Sequence, residues 1–193
     1  MTVRRVEFKD MNSHWAKDSV NDLDSRMILG GTGSGLFNPD AEITRAEFAA
    51  LMARAFGLRS DGGKLVFTDV KASDWYNENM RTAQAYGLIT GFEDSTFRPN
   101  EKITREQAMV IAAKAMETTG LKNVLTGRTA EEMLSEYDDA ASVSGWTKSG
   151  VADSLQTGIV SGRSASVLAP KAHITRAKAA KLTQELMKKS ELF

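Results

Sequence analysis

Three tryptophans and three prolines, the only ones in the 193-residue chain, stand on one repeated ruler. From Trp15, Trp75 and Trp146 a glycine follows sixteen residues on (Gly31, Gly91, Gly162), a proline eight further (Pro39, Pro99, Pro170) and an arginine six beyond that (Arg45, Arg105, Arg176). A spacing kept three times makes each copy one structural unit, and each residue has to be read with its two equivalents. An aromatic-x-Asp triplet opens each copy, as Phe8-Lys9-Asp10, Phe67-Thr68-Asp69 and Tyr137-Asp138-Asp139. The second Trp lies 60 residues after the first and the third 71 after the second, so eleven extra residues enter between about Glu117 and Glu136. The copies are assigned to residues 1–60, 61–125 and 126–193, together one compact domain.

The segments around the arginines are Ile43-Thr44-Arg45-Ala46-Glu47, Ile103-Thr104-Arg105-Glu106-Gln107 and Ile174-Thr175-Arg176-Ala177-Lys178. The first two are capping boxes, in which the Thr hydroxyl accepts from an amide three residues on and the Glu or Gln reaches back to the Thr amide. Lys178 has no acceptor to reciprocate, and its cation faces the positive helix end, so the third start is expected to be weaker. After each Arg, apolar residues recur at helical spacing: Phe48, Leu51, Met52, Ala55 and Phe56; Ala108, Ile111, Ala112, Ala115 and Met116; Ala179, Leu182, Leu186 and Met187, with Thr183 alone out of pattern. Three equivalent stripes can bury one another in a three-helix core. A shorter helix after each Trp should stop at Gly87 and Gly158, which can take the left-handed closing conformation, with Met27 in that place in copy one. The loop to each Pro has turn chemistry and one apolar anchor, Phe37, Phe97 or Leu168. Thr129-Ala-Glu-Glu132 predicts a further short helix in the long connection.

Composition narrows the function. Lys and Arg number 25, as do Asp and Glu, a balance that argues against a nucleic-acid binder. At 41% apolar and 26% charged residues the chain has both a core to bury and a surface to solvate. No apolar run is long enough for a membrane span, and the first residues, Met-Thr-Val-Arg-Arg, lack the apolar core of a secretion signal, so a secreted origin implies a signal removed. Without cysteine there is no disulfide or thiolate chemistry. His14 and His173 fall at unrelated repeat positions, and no catalytic triad, phosphate loop or metal-ligand spacing is present. Asn38-Pro-Asp40-Ala-Glu42 lacks the calcium loop that would have to surround it. A pair of carboxylates acting as a glycosidase is the third-ranked reading.

The aromatic-x-Asp opening, the Trp, Gly-(Leu/Ile)-(Ile/Val)-x-Gly, Phe-x-Pro and Ile-Thr-Arg-Ala-Glu together resemble the S-layer homology repeat of Gram-positive cell-surface proteins, over nearly the whole chain. The resemblance implies an all-α fold: three helix-loop-helix repeats in a pseudo-threefold trimer, the Thr-Arg helices forming a central three-helix bundle and the first helices the prongs. It also implies a secreted, cell-wall or S-layer location and non-covalent anchoring to a secondary cell wall polysaccharide bearing pyruvylated N-acetylmannosamine. No enzyme activity, cofactor, metal, nucleic acid or membrane is implied, and the isolated domain would be a monomer. A structural lattice module that binds no sugar is the rival reading.

The residues to weigh as a glycan site are the repeated ones. Arg45, Arg105 and Arg176 stand one position inside helices whose first amides are unpaired, and with the caps Thr44 and Thr104 they could form an anion trap for a pyruvyl carboxylate. Alternatively each Arg bonds loop carbonyls or an Asp of the next repeat and staples the copies together. The resemblance favours the ligand reading for Arg45 and Arg105. Trp15, Trp75 and Trp146 could stack on sugar rings or seal the core. Asp10, Asp69 and Asp139 could accept from sugar hydroxyls or cap helices. Gly30, Gly31, Gly91 and Gly162 serve backbone conformation or let a sugar approach closely. Chain order pairs Arg45 with Asp69 and Trp75, Arg105 with Asp139 and Trp146, and Arg176 with Asp10 and Trp15. The departures in copy three, Lys178 and the small-residue loop Ser164–Ser166, are expected to make Arg176 the weakest contributor.

Overall fold

The computed structural model describes residues 7–60, 63–125 and 127–192; Met1–Arg5, on which the reading of the N-terminus rests, lie outside them. Among the described residues seven α-helices form in chain order: α1 (Lys17–Ser25), α2 (Arg45–Ala55), α3 (Asn77–Ala85), α4 (Arg105–Thr119), α5 (Ala130–Leu134), α6 (Lys148–Gln156) and α7 (Arg176–Lys189). Among the described residues there are isolated β-bridges and no strands, so the chain is all-α.

Each long helix starts at the repeated Arg. Thr44 and Thr104 close full capping boxes with Glu47 and Gln107, and Thr129 does the same with Glu132 at the start of α5. Thr175 accepts from the Lys178 amide without a returning bond, as the sequence requires. The apolar stripes of α2, α4 and α7 are buried, Phe56 only in part, and α2, α4 and α7 touch one another pairwise. Thr183, the exception to the stripe, is fully buried and returns its hydroxyl to the Ala179 carbonyl one turn back, which removes the cost of burying it.

Backbone bonds then close a ring of the three copies. The Ile43 amide donates to the Ile174 carbonyl, Ile174 to Ile103, and Ile103 to Ile43, at 3.1–3.2 Å. Each prong packs on the central helix of the copy before it: α3 on α2, α6 on α4, and α1 on α7. Each stripe is thus covered by helices of the other two copies. The extra residues of the long connection support copy three, where α5 packs on α6, and Leu134, Val143, Val151 and Leu168 share a small separate core with Met109.

Met27 closes α1 at φ +59°, where Gly87 and Gly158 close α3 and α6 at +69°. A left-handed L-residue costs roughly 1 kcal/mol more than Gly, and Met27 is 76% exposed with little packing to lose. Met27→Gly should therefore raise the melting temperature by about 2–4 °C. An unchanged or lowered melting temperature would show that Met27 makes a contact worth more than this strain.

Candidate functional site

The repeated residues meet in three grooves, and each groove draws on all three copies. Arg176 of copy three lines one with Gly30 and Gly31 of copy one and Trp75 of copy two. Arg105 of copy two lines the next with Gly162 of copy three and Trp15 of copy one. Arg45 of copy one lines the third with Gly91 of copy two and Trp146 of copy three. Their volumes, from about 260 to 530 Å³, suit a small ligand or one segment of a polymer. This corrects the Trp half of the pairing by chain order: Arg45 shares its groove with Trp146 and not Trp75, Arg105 with Trp15 and not Trp146, Arg176 with Trp75 and not Trp15, whereas Asp69, Asp139 and Asp10 do act electrostatically on Arg45, Arg105 and Arg176 in turn.

The ring that closes the fold also consumes the helix-start amides. Arg45 N–H donates to the Glu101 carbonyl and Ala46 N–H to Pro99; Arg105 and Glu106 donate to Ala172 and Pro170; Arg176 and Ala177 donate to Ala41 and Pro39. The amide three residues past each Thr is taken by its hydroxyl. The expectation of free N-terminal amides beside the arginines is thus corrected, because loop carbonyls of the following copy occupy them. Thr44, Thr104 and Thr175 have the same structural task.

The arginine side chains staple the copies and still face the grooves. Arg45 donates through Nε to the Phe97 carbonyl at 2.8 Å and lies over the Phe97 and Phe92 rings, 4.4 and 4.8 Å from their centroids. Only 6% of it is exposed, and burial pushes its guanidinium down to about 10. Arg105 donates through Nε to Leu168 and through Nη2 to Ser161, both at 2.9 Å. Arg176 uses all three nitrogens, on the Phe37 and Gly30 carbonyls and on Glu47 at 3.1 Å. These bonds leave Arg105 Nη1 and both Nη atoms of Arg45 without a hydrogen-bond partner among the described residues.

The aspartates look inward. Asp10 accepts from the Phe37 and Asn38 amides, Asp69 from Phe97 and Arg98, and Asp139 from Leu168 and Ala169, all at 2.7–2.9 Å. The second amide in each pair belongs to the residue before the Pro, and those residues stand at φ +55°, +57° and +53°. Asp therefore clamps a strained loop in its own copy, 27–30 residues downstream, in place of capping a helix. The Leu168 amide above all holds the Asp139 carboxyl below its ordinary value.

The indoles remain open: Trp15, Trp75 and Trp146 are 61%, 60% and 64% exposed, so core sealing does not account for them. Gly31, Gly91 and Gly162 each lie under the opening aromatic of their copy. A Cβ there would meet Phe8 at 2.5 Å, Phe67 at 2.6 Å or Tyr137 at 2.6 Å, and a loop carbonyl as closely. Gly30 has open space around its Cβ position. Gly31→Ala should cost about 1–3 kcal/mol, whereas Gly30→Ala should leave the melting temperature unchanged. Equal shifts for the two would contradict the packing assigned to Gly31.

Sequence reasoning missed Glu106. It is 3% exposed at the second position of α4 and accepts from Ser144 N at 3.0 Å, Ser144 Oγ at 2.9 Å and Thr147 Oγ1 at 3.1 Å, with the Lys171 ammonium against it. Its equivalents are Ala46 and Ala177, so the repeat offers no signal for it. Among the described residues no acidic, His or Cys cluster could hold a metal, and no helix is long and apolar enough to cross a membrane.

The S-layer homology domain family model matches residues 7–49, 66–109 and 136–180. The chain is 36% identical over 188 residues, 97% of its length, to Exoglucanase XynX of Acetivibrio thermocellus, but that is 17% of the exoglucanase. It is 33% identical to the Surface-layer 125 kDa protein of Lysinibacillus sphaericus, over 89% of the chain and 14% of that protein. A Cellulosome-anchoring protein of Acetivibrio thermocellus is 34% identical over 58% of the chain and 26% of its own length. The chain spans only a minor part of each of these relatives.

Proposed function

Because this chain belongs to the S-layer homology family, with three tandem copies of its repeat, we propose that it holds a secreted protein at the cell wall or S-layer by binding a secondary cell wall polysaccharide of the pyruvylated N-acetylmannosamine type. The observation that carries the reading is the threefold recurrence of one groove, with an oriented guanidinium, a glycine loop and an exposed indole each from a different copy. A guanidinium can hold a ketal carboxylate by charge-assisted bonds, and an open indole offers a flat apolar face to a sugar ring. The ring of backbone bonds supports a pseudo-threefold trimer of repeats 1–60, 61–125 and 126–193 that act as one domain. The chain itself is a non-catalytic anchor in this reading. Catalysis named in relatives such as the exoglucanase belongs to proteins of which the match covers a small share.

Sedimentation with cell walls tests the anchor against a protein lattice module. The chain should pellet with intact walls and stay in solution with walls stripped of secondary polymer. Equal pelleting with stripped walls, or self-assembly without walls, would favour the lattice.

A further inference from the structure

The three grooves share a plan and differ in charge. Beside Arg176 lies its ion-pair partner Glu47, with Arg54 as the other cation. The Arg45 groove sets Arg45 and Arg98 against Glu93 and Asp94, with Arg98 paired to Asp94 at 3.3 Å. The Arg105 groove holds Arg105, Arg163, Lys178 and Lys181 and has no carboxylate in its lining. Lys181 is paired with Glu185 outside the groove, but Arg163 and Lys178 are exposed and have no ion-pair partner among the described residues. Lys178, a departure of copy three, and Arg163 thus line the groove of Arg105 and not that of Arg176.

Resting on the anchoring reading, we propose that the Arg105 groove is the dominant subsite and takes a glycan segment with two anionic substituents, one against Arg105 and the other against Arg163 and Lys178. Unpaired like charges gathered at one concave site repel one another, and a ligand bearing both counter-charges relieves that repulsion where a single carboxylate relieves part of it. The Trp15 face and Gly162 give the sugar between the two anions its place. The second anion can be another pyruvyl carboxylate or a phosphodiester, since both present oxygen acceptors to a guanidinium and an ammonium.

Each groove contains one of the chain's three Trp residues, so its indole N–H resonance reports that groove alone. The intact chain is titrated with three oligosaccharides: one with a single pyruvyl ketal, one with two, and one with a ketal and a phosphodiester. The Trp15 signal should move at the lowest concentration, with roughly tenfold tighter binding for a two-anion probe at low salt, shrinking as salt is added. The arm that binds tighter identifies the second anion. The double variant Arg163→Ala/Lys178→Ala should remove the two-anion gain, with undisturbed Trp75 and Trp146 signals reporting an intact fold. Equal affinity of Trp15 for all probes, or earlier movement of Trp75 or Trp146, overturns the inference and leaves the anchoring reading in place. No movement of any indole with any probe overturns both.

Discussion

Arg105→Ala should weaken binding of purified wall polymer by about ten- to a hundredfold, the effect of losing a hydrogen bond to a charged group worth roughly 1.5–3 kcal/mol. Two of its nitrogens are held by the Leu168 and Ser161 carbonyls, which fix the guanidinium plane and leave Nη1 for a ligand. A pre-oriented fork loses little further freedom on binding. The same substitution removes donors from two carbonyls of copy three, so some stability should fall as well. Arg176→Ala should show the opposite balance. All three of its nitrogens are engaged within the protein, one on Glu47, and its loss should lower the melting temperature more than the affinity. The sequence leads to the same expectation for Arg176 by another route, the copy-three departures, where the structure offers the Glu47 pair in its groove. An unchanged isotherm for Arg105→Ala, measured on protein shown to be folded, would remove the arginine from the binding account.

Glu106→Ala should be among the most destabilising polar substitutions, at about 2–4 kcal/mol. The carboxylate is the common acceptor that ties the start of α4 to the Ser144–Thr147 turn and to Lys171, and its removal takes the acceptor from the half-buried Ser144 amide and from the buried Thr147 hydroxyl. Lys171 can turn to solvent, which keeps the cost below that of a fully buried ion pair. Burial alone would raise this carboxyl, but the bonds from Lys171, Ser144 and Thr147 outweigh it and hold it below its ordinary value of 4.5. Because the folded-state value is the lower one, the stabilisation is fully present above about 4.5 and is lost as pH falls through the folded-state value. The melting-temperature gap between the unaltered chain and Glu106→Gln should therefore be widest near neutral pH and close in acid. A gap that stays constant from pH 7 to pH 3 would contradict the charged-acceptor role.

The ruler of Trp, Gly, Pro and Arg was enough to place each long helix at its first residue, because a capping threonine and a helical stripe are local signals. The missing box at Lys178 and the short helix after Thr129 were legible for the same reason. The partners across the ring were not. Spacing is identical in all three copies, so nothing in it states whether an Arg meets the Trp of its own copy, the next or the one after; that depends on the handedness of the ring, which packing of α1 on α7, α3 on α2 and α6 on α4 decides. The helix-start amides were misread because their acceptors, the carbonyls of Pro39, Pro99, Pro170 and their neighbours, come from another copy. For Asp10, Asp69 and Asp139 the neighbouring Arg is legible from chain order but the amides they hold are not, since an Asp that clamps amides 27–30 residues away leaves no local trace.

Titration calorimetry of the chain against purified secondary wall polymer, before and after chemical removal of its pyruvate, tests the central claim most directly. Saturable binding to the native polymer that disappears with the pyruvate is the predicted result. An isotherm that is the same for both polymers would contradict capture of an anionic ketal in these grooves.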